Sequence, residues 1–193
     1  MKNVAIIEKN YIGFGGAGRN TAIVRANQRT QINVPLYKEA LDLWPVLTKD
    51  LDFNLMFNNC GNLNLMHSEA AMNAARMNVA TAQFHGVESH LLDAKQIKEM
   101  VPALNISHDI TYPIHGAMYH PPGGIVRHDA VVWGLAKGAV KLGVEIHQQT
   151  EATGINTENG KVTGVETSRG KIYTPRVLVS AGGYSAGIIN KML

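Results

Sequence analysis

The stretch Asn3–Arg25, NVAIIEKNYIGFGGAGRNTAIVR, decides how the chain is read. Val4-Ala5-Ile6-Ile7 is a short apolar run rich in β-branched residues, the pattern of a parallel strand buried on both faces. It ends at Glu8, and a glycine-rich loop follows from Gly13 to Gly18. Gly13, Gly15 and Gly18 have the spacing of a dinucleotide-binding G-x-G-x-x-G. That motif needs a helix opening at the glycines, then a second strand and an acid roughly 20 residues on. Arg19-Asn20-Thr21-Ala22-Ile23-Val24-Arg25 provides no such helix or strand, so the glycines are not that fingerprint. Glu8 fits the pattern in another way. It stands where the acid ending the second strand of such a fold would bond an adenosine ribose. The first strand and its phosphate loop would then lie before Met1, and the chain would start one βα unit late. A buried strand capped by a surface glutamate and a flexible loop is the simpler alternative.

The 193 residues allow one domain of ordinary size or pieces of two. With 45% hydrophobic and 17% charged residues the chain is a core-forming one and not a disordered one. The formal charge of +3 comes without a Lys/Arg cluster, so neither a nucleic acid nor a membrane surface is an expected partner. Cys60 is the only cysteine, which excludes a disulfide framework and suits a reducing, cytoplasmic setting. A small buried apolar role is expected for it. There is no apolar run long enough to span a membrane, and no leader pattern.

Beyond Arg25 the periodicity alternates between helix and strand. Leu36, Ala40, Leu43, Leu47 and Leu51 recur at helical spacing after Pro35, with a kink or break expected near Trp44 because Pro45 lies inside the pattern. Short strands are predicted over 53–57 and 61–66, and a helix over 69–84 with Ser68 as its cap and Gly86 closing it. Asp93 and Gln96 have capping-box spacing for a short helix ending before Pro102. Residues 112–120 read as a strand and 129–142 as an amphipathic helix with Gly143 beyond its end. The remainder alternates through an Asn159-Gly160 turn as a small antiparallel meander, then enters an apolar strand from Val177 that ends in Ala181-Gly182-Gly183.

Residues able to carry chemistry are few. Small residues at a strand's carboxyl end let backbone approach a phosphate, which singles out Ala181 and Gly182 beside the plainer reading of a turn. His128 follows Gly123-Gly124 and Arg127 at a helix start, where the helix field and the guanidinium both favour a neutral, nucleophilic imidazole. No metal set is predicted: His115 and His120 lie on one expected strand and point to opposite faces. Neither a nucleophile elbow nor a paired-carboxylate site is visible.

Four blocks together carry a resemblance: Val4–Lys9; Gly18–Thr21 with Ile23–Arg25; Gly123–Ile125 with Arg127–Asp129; and Val162–Thr167 with Arg169-Gly170. In collinear order they resemble the D-amino-acid-oxidase-like family of FAD-dependent oxidoreductases, and within it the beta subunits of bacterial heterotetrameric sarcosine oxidases. The resemblance implies an α/β fold with an α+β insertion. Residues 1–30 and 125–193 would be parts of a Rossmann-like FAD-binding domain and 31–124 a substrate-domain segment. The first βα unit and the C-terminal part of the fold would be missing, so the chain would be a fragment, expected neither to fold stably nor to turn over by itself.

The resemblance also implies site roles. Glu8 would bind the adenosine ribose of FAD, with Lys9 beside the adenine and Ala152 touching it through its backbone. Arg19, Asn20 and Thr21 would line the loop near pyrophosphate and ring, with Ala181 and Gly182 near the pyrophosphate. His128 would attach FMN covalently, with Arg127 against that ring; no residue here is expected to be catalytic. Sarcosine would give a hydride to FAD, electrons would pass to FMN, and oxygen would leave as hydrogen peroxide. Other subunits of a hetero-oligomer would be partners, one of them handling tetrahydrofolate. A related dehydrogenase acting on dimethylglycine, or a non-catalytic subunit piece, is the alternative. Ala22, Ala26 and Gly16 depart from the family pattern, in which hydroxyl residues and Asn are expected.

Overall fold

A computed structural model describes residues 3–28 and 30–192, without the side chains of residues 191 and 192. In chain order the elements are β1 (Ala5–Ile7), β2 (Ile23–Val24), α1 (Val34–Asp50), β3 (Asn62–Met66), α2 (Glu69–Phe84), β4 (His90–Leu92) and α3 (Ala94–Met100). They continue through β5 (Gly116–His120), β6 (Gly124–Ile125), α4 (His128–Lys141), β7 (Glu145–His147), β8 (Ala152–Glu158), β9 (Lys161–Thr167), β10 (Gly170–Tyr173) and α5 (Ser185–Met192). The chain divides into two compact units, Met1–Asn20 with Val131–Leu193, and Thr21–Ala130.

The first unit holds a parallel pair, β1 with β7 in the register Ala5↔Glu145 to Ile7↔His147, and an antiparallel meander, β8-β9-β10. The β8–β9 turn has Asn159 at φ +50° and Gly160 at φ +73°, the left-handed pair that a two-residue hairpin loop demands. Burial in this unit is thin. Ala5 and Ile6 of β1 are exposed, Ile6 by 45%, which corrects the expectation of a strand buried on both faces: a two-stranded pair leaves them uncovered. Val177–Ser180 joins no sheet, again contrary to the sequence pattern. Its side chains alternate as a strand's would, with Val177 and Val179 half-buried and Leu178 88% exposed, but no described residue completes a ladder with it. Val177 and Val179 line an apolar hollow of about 310 Å³ with Ile155, Val162 and Ile189.

The second unit carries the core. Sheet β3-β5-β4 is antiparallel throughout, and β2 pairs antiparallel with β6. Ile97, Ile114 and Ala117 pack with Leu63, Leu65 and Leu92, while Ala26, Val34, Leu41, Ala82 and Val87 form a second cluster. Each fully buried aliphatic side chain of this kind contributes about 1.5–3 kcal/mol. The helices start where their caps dictate: Ser68 Oγ accepts the Ala71 amide at 3.2 Å, and Asp93 and Gln96 form the reciprocal capping box. Helix α1 runs unbroken through Pro45, so no break occurs near Trp44; its burial of Val34 and Leu41 outweighs one lost backbone bond. Residues 53–57 form no strand. Only Asn58 bridges, to Ile125. The strand expected over 112–120 is confined to Gly116–His120, and Cys60, expected to be buried, is exposed in the irregular segment between the Asn58 bridge and β3.

Gly124 lies in β6 opposite Val24, and a Cβ there would come within 2.2 Å of the Asn58 carbonyl. At Gly183 a Cβ would meet open space. Gly124→Ala is therefore expected to destabilise by about 1–3 kcal/mol, and Gly183→Ala by less than about 0.5 kcal/mol. Thermal melts of the two variants check this; equal midpoints would contradict the close packing described for β6.

Candidate functional site

At the carboxyl end of the β1–β7 pair the chain builds one local polar set. The Glu8 amide donates to the His147 carbonyl at 2.9 Å, and the Thr150 amide donates to the Glu8 carbonyl at 2.9 Å. Glu8 Oε1 accepts the Asn10 amide at 2.7 Å, which fixes the carboxylate by a local side-chain-to-backbone bond. Beside it Lys9 Nζ pairs with Glu151 Oε1 at 2.7 Å; the pair is solvent-exposed and stabilises by only about 0.2–1 kcal/mol. The Glu151 amide donates to Ser168 Oγ at 3.0 Å, and Ala152 follows as the first residue of β8. Glu8, Lys9 and the lead into Ala152 are thus brought together. A carboxylate oriented through one oxygen can accept from the hydroxyls of a vicinal diol with the other, which fits a ribose.

The glycine loop is braced on itself. The Gly18 amide donates to Gly15 and the Arg19 amide to Gly16, each at 3.2 Å. A Cβ at Gly18 would fall 2.2 Å from the Gly13 carbonyl. These glycines serve the loop's own turn. Arg19 stacks its guanidinium 4.4 Å above the Phe14 ring, and Asn20 Nδ2 donates to the Gly16 and Ala17 carbonyls at 2.9 Å. Ala181 precedes a single helical turn over Gly182–Tyr184. Gly182 has φ +57°, with open space where a side chain would stand, so its backbone is accessible to a ligand.

The other sequence-predicted residues, Thr21, Arg127 and His128, belong to the second unit. His128 is the first residue of α4 and half-buried. Arg127 makes a bidentate pair with Asp129, Nε to Oδ1 at 3.1 Å and Nη2 to Oδ2 at 2.8 Å, and Asp129 Oδ1 also accepts the Ala130 amide. The hydrogen bonds from Arg127 hold the Asp129 carboxyl below its ordinary range, and Asp129 in turn raises the Arg127 value. Asp129 was not singled out from sequence, although a charge of opposite sign two residues from Arg127 was the available signal.

A hollow of about 460 Å³ in the second unit also escaped the sequence reading. Thr21, Arg25, Tyr37, Trp44, Asn62 and Asn64 are among the residues that line it, and Arg25 is the charged one. A guanidinium framed by aromatic rings and amides suits a carboxylate. In sequence Arg25 is only a cation after two β-branched residues, and its face depends on the β2–β6 pairing. Among the described residues no group of His, Cys, Asp or Glu could hold a metal, and no helix is long and apolar enough to cross a membrane.

Known proteins agree with this architecture. The family model of the FAD dependent oxidoreductases (DAO) matches residues 1–193. Sarcosine oxidase subunit beta of Rhizobium meliloti (strain 1021) is 44% identical over 188 residues, covering 97% of this chain and 45% of the relative. The same-named subunit of an Arthrobacter species is 39% identical over 186 residues, covering 96% and 46%. Among solved structures, L-proline dehydrogenase from P. horikoshii superposes with a TM-score of 0.87 at 26% identity, over 98% of this chain and 49% of its own. Glycine oxidase from Bacillus cereus ATCC 14579 does so with 0.84 at 26% identity, over 97% and 51%. The chain thus spans about half the length of the relatives it matches. Matched over all its residues, with an anchored acid closing a parallel strand pair, the chain belongs to the FAD-dependent oxidoreductase (DAO) family.

Proposed function

We propose that this chain is the part of a sarcosine oxidase beta subunit that holds the adenosine end of FAD and the attachment point of FMN. The anchored Glu8 carboxylate is the observation that carries the flavin reading; likeness to sarcosine oxidase beta subunits supports the substrate. Residues 1–30 and 125–193 would belong to the FAD-binding domain and 31–124 to the substrate-facing segment. Glu8 accepts the ribose hydroxyls, Lys9 lies beside the adenine, and Ala152 meets it through its backbone. Ala181 and Gly182 offer backbone to the pyrophosphate, with Arg19, Asn20 and Thr21 nearer the ring. His128 would be joined to FMN through its imidazole, and Asp129 would aim Arg127 at the same ring. When bound, the flavins would supply the redox chemistry of amine oxidation and of oxygen reduction to hydrogen peroxide, while this chain's residues would hold and orient them. Arg25 would hold the carboxylate of sarcosine in the second unit's hollow. Partner subunits, one of them binding tetrahydrofolate, would complete a hetero-oligomer. The exposed single thiol of Cys60 supports a cytoplasmic setting, where it stays reduced.

Three substitutions in the flavin-loaded subunit test these roles. Loss of one charge-assisted hydrogen bond in Glu8→Gln should weaken FAD binding by about 1.5–3 kcal/mol, roughly 10- to 150-fold, read by fluorescence titration of the stripped protein. Unchanged affinity would remove Glu8 from the site. His128→Asn should abolish the flavin that survives acid precipitation and proteolysis. A flavin-peptide at unchanged yield would exclude His128 as the attachment point, and non-covalent flavin alone in the parent would favour a single-flavin dehydrogenase of a related amine such as dimethylglycine. Arg25→Met should raise KM for sarcosine at least tenfold, the effect of one lost charge-assisted contact, and an unchanged KM would place the carboxylate elsewhere.

A further inference from the structure

We propose that His120 is a positioning residue: by holding the Ala26 amide it fixes the segment that presents Arg25 to the hollow of the second unit. The proposal rests on the reading of Arg25 as the carboxylate site. His120 ends β5 and is fully buried. A buried imidazole requires partners at both nitrogens. Its Nε2 accepts the Ala26 amide at 3.2 Å, and its Nδ1 lies 2.6 Å from the Glu88 carbonyl. An amide can only donate and a carbonyl can only accept, so these two partners dictate the neutral tautomer with its proton on Nδ1.

The clamp acts next to the hollow by two routes. Ala26 follows Arg25 directly, and Ala26 and Asn27 are 0% and 1% exposed, so the chain just beyond the guanidinium is immobilised in the core. Across the sheet, His120 stands opposite Asn62 in the β3–β5 register, and Asn62 lines the same hollow as Arg25. One imidazole therefore ties together two elements of the wall.

The clamp also senses acid. The charged and titratable groups facing His120 are Glu88, whose carboxylate is 3.0 Å from His90 Nε2, and Arg25. Burial pushes the His120 value below 6.5, Glu88 opposes this, and the Arg25 charge adds to it. A protonated ring would turn Nε2 into a donor facing the Ala26 donor, beside a like charge. With the folded-state value depressed, the stabilisation from the neutral ring is complete above the ordinary 6.5 and lost as pH falls through the lower folded value.

The experiment compares His120→Gln, which keeps an acceptor and a donor but does not titrate, with His120→Leu, which keeps neither, in the flavin-loaded subunit. In the parent, KM for sarcosine should rise as pH falls from above 6.5 through the depressed His120 value, with kcat following its own profile; a KM that stays flat down to the pH at which the subunit unfolds would overturn the acid-sensing role. The Gln variant should restore near-parental KM at the upper pH and lose that acid rise. The Leu variant, if folded by its thermal melt, should show KM raised about tenfold at every pH, with kcat changed less than KM. Hydrogen exchange of the peptide spanning residues 22–28, read at a fixed acid pH, should be faster in the parent than in the Gln variant. An acid rise in KM that persists in the Gln variant, or a folded Leu variant with parental KM, overturns the proposal. If the Leu variant does not fold, the Gln comparison decides alone. An Arg25→Met subunit with unchanged KM would instead sink the carboxylate reading itself. Arg25→Met impaired beside inert His120 variants would overturn only the role of His120.

Discussion

The second unit closes on itself, and the architecture depends on that closure. Its entry and exit strands are paired, Ile23 opposite Ile125 and Val24 opposite Gly124, and the Val126 amide donates to the Ala22 carbonyl at 3.1 Å. A parallel pair such as β1–β7 cannot be joined by a tight turn, and here all of Thr21–Ala130 intervenes in sequence. Were that stretch a loose loop, joining β1 to β7 would be opposed by the entropy of closing it. Paired ends hold the two termini of that stretch close together, which lowers the penalty. The cramped approach of β6 to Asn58 and the left-handed Ala22, at φ +56°, lie in this closure, and strain there is tolerated where packing over-determines it.

The two units differ in how they are held. The second has three apolar clusters, with Ile97, Leu55 and Val34 fully excluded from solvent. The first relies on backbone ladders, a thinly covered meander and short polar ties at the Glu8 end. Side-chain placement in the first is accordingly set by backbone register, which places Glu8 level with the residues after His147. In the second it is set by burial, which locks Ala26 and His120 and leaves Arg25 facing the hollow.

Local rules were legible in the sequence wherever a few neighbouring residues determine the outcome. Ser68 and the Asp93–Gln96 box follow from side-chain-to-backbone chemistry within one turn, Asn159-Gly160 from backbone tolerance of positive φ, and the helix expected over 129–142, which starts one residue earlier at His128, from its apolar spacing. The family resemblance rested on blocks of the same short range. What did not show was non-local. Residues 53–57 and 177–180 have strand composition, but a strand exists only with a partner, and none of the described residues pairs with them in a ladder. Cys60 is exposed in the irregular segment before β3, a placement its apolar character conceals. Arg25 and His120 acquire meaning only once β2, β5 and the segment after Gly86 converge in the second unit.

The order of these pairings also has a consequence at the ribosome. Synthesis at about 5–20 residues per second delivers β7 roughly 7–30 s after its partner β1. During that interval all of Thr21–Ala130 has emerged, and its ladders are internal to it. The nascent chain can thus complete its best-buried region while Ile6, 45% exposed even in the folded pair, is still without β7. A short apolar strand left unpaired that long offers its edge to other chains until β7 arrives.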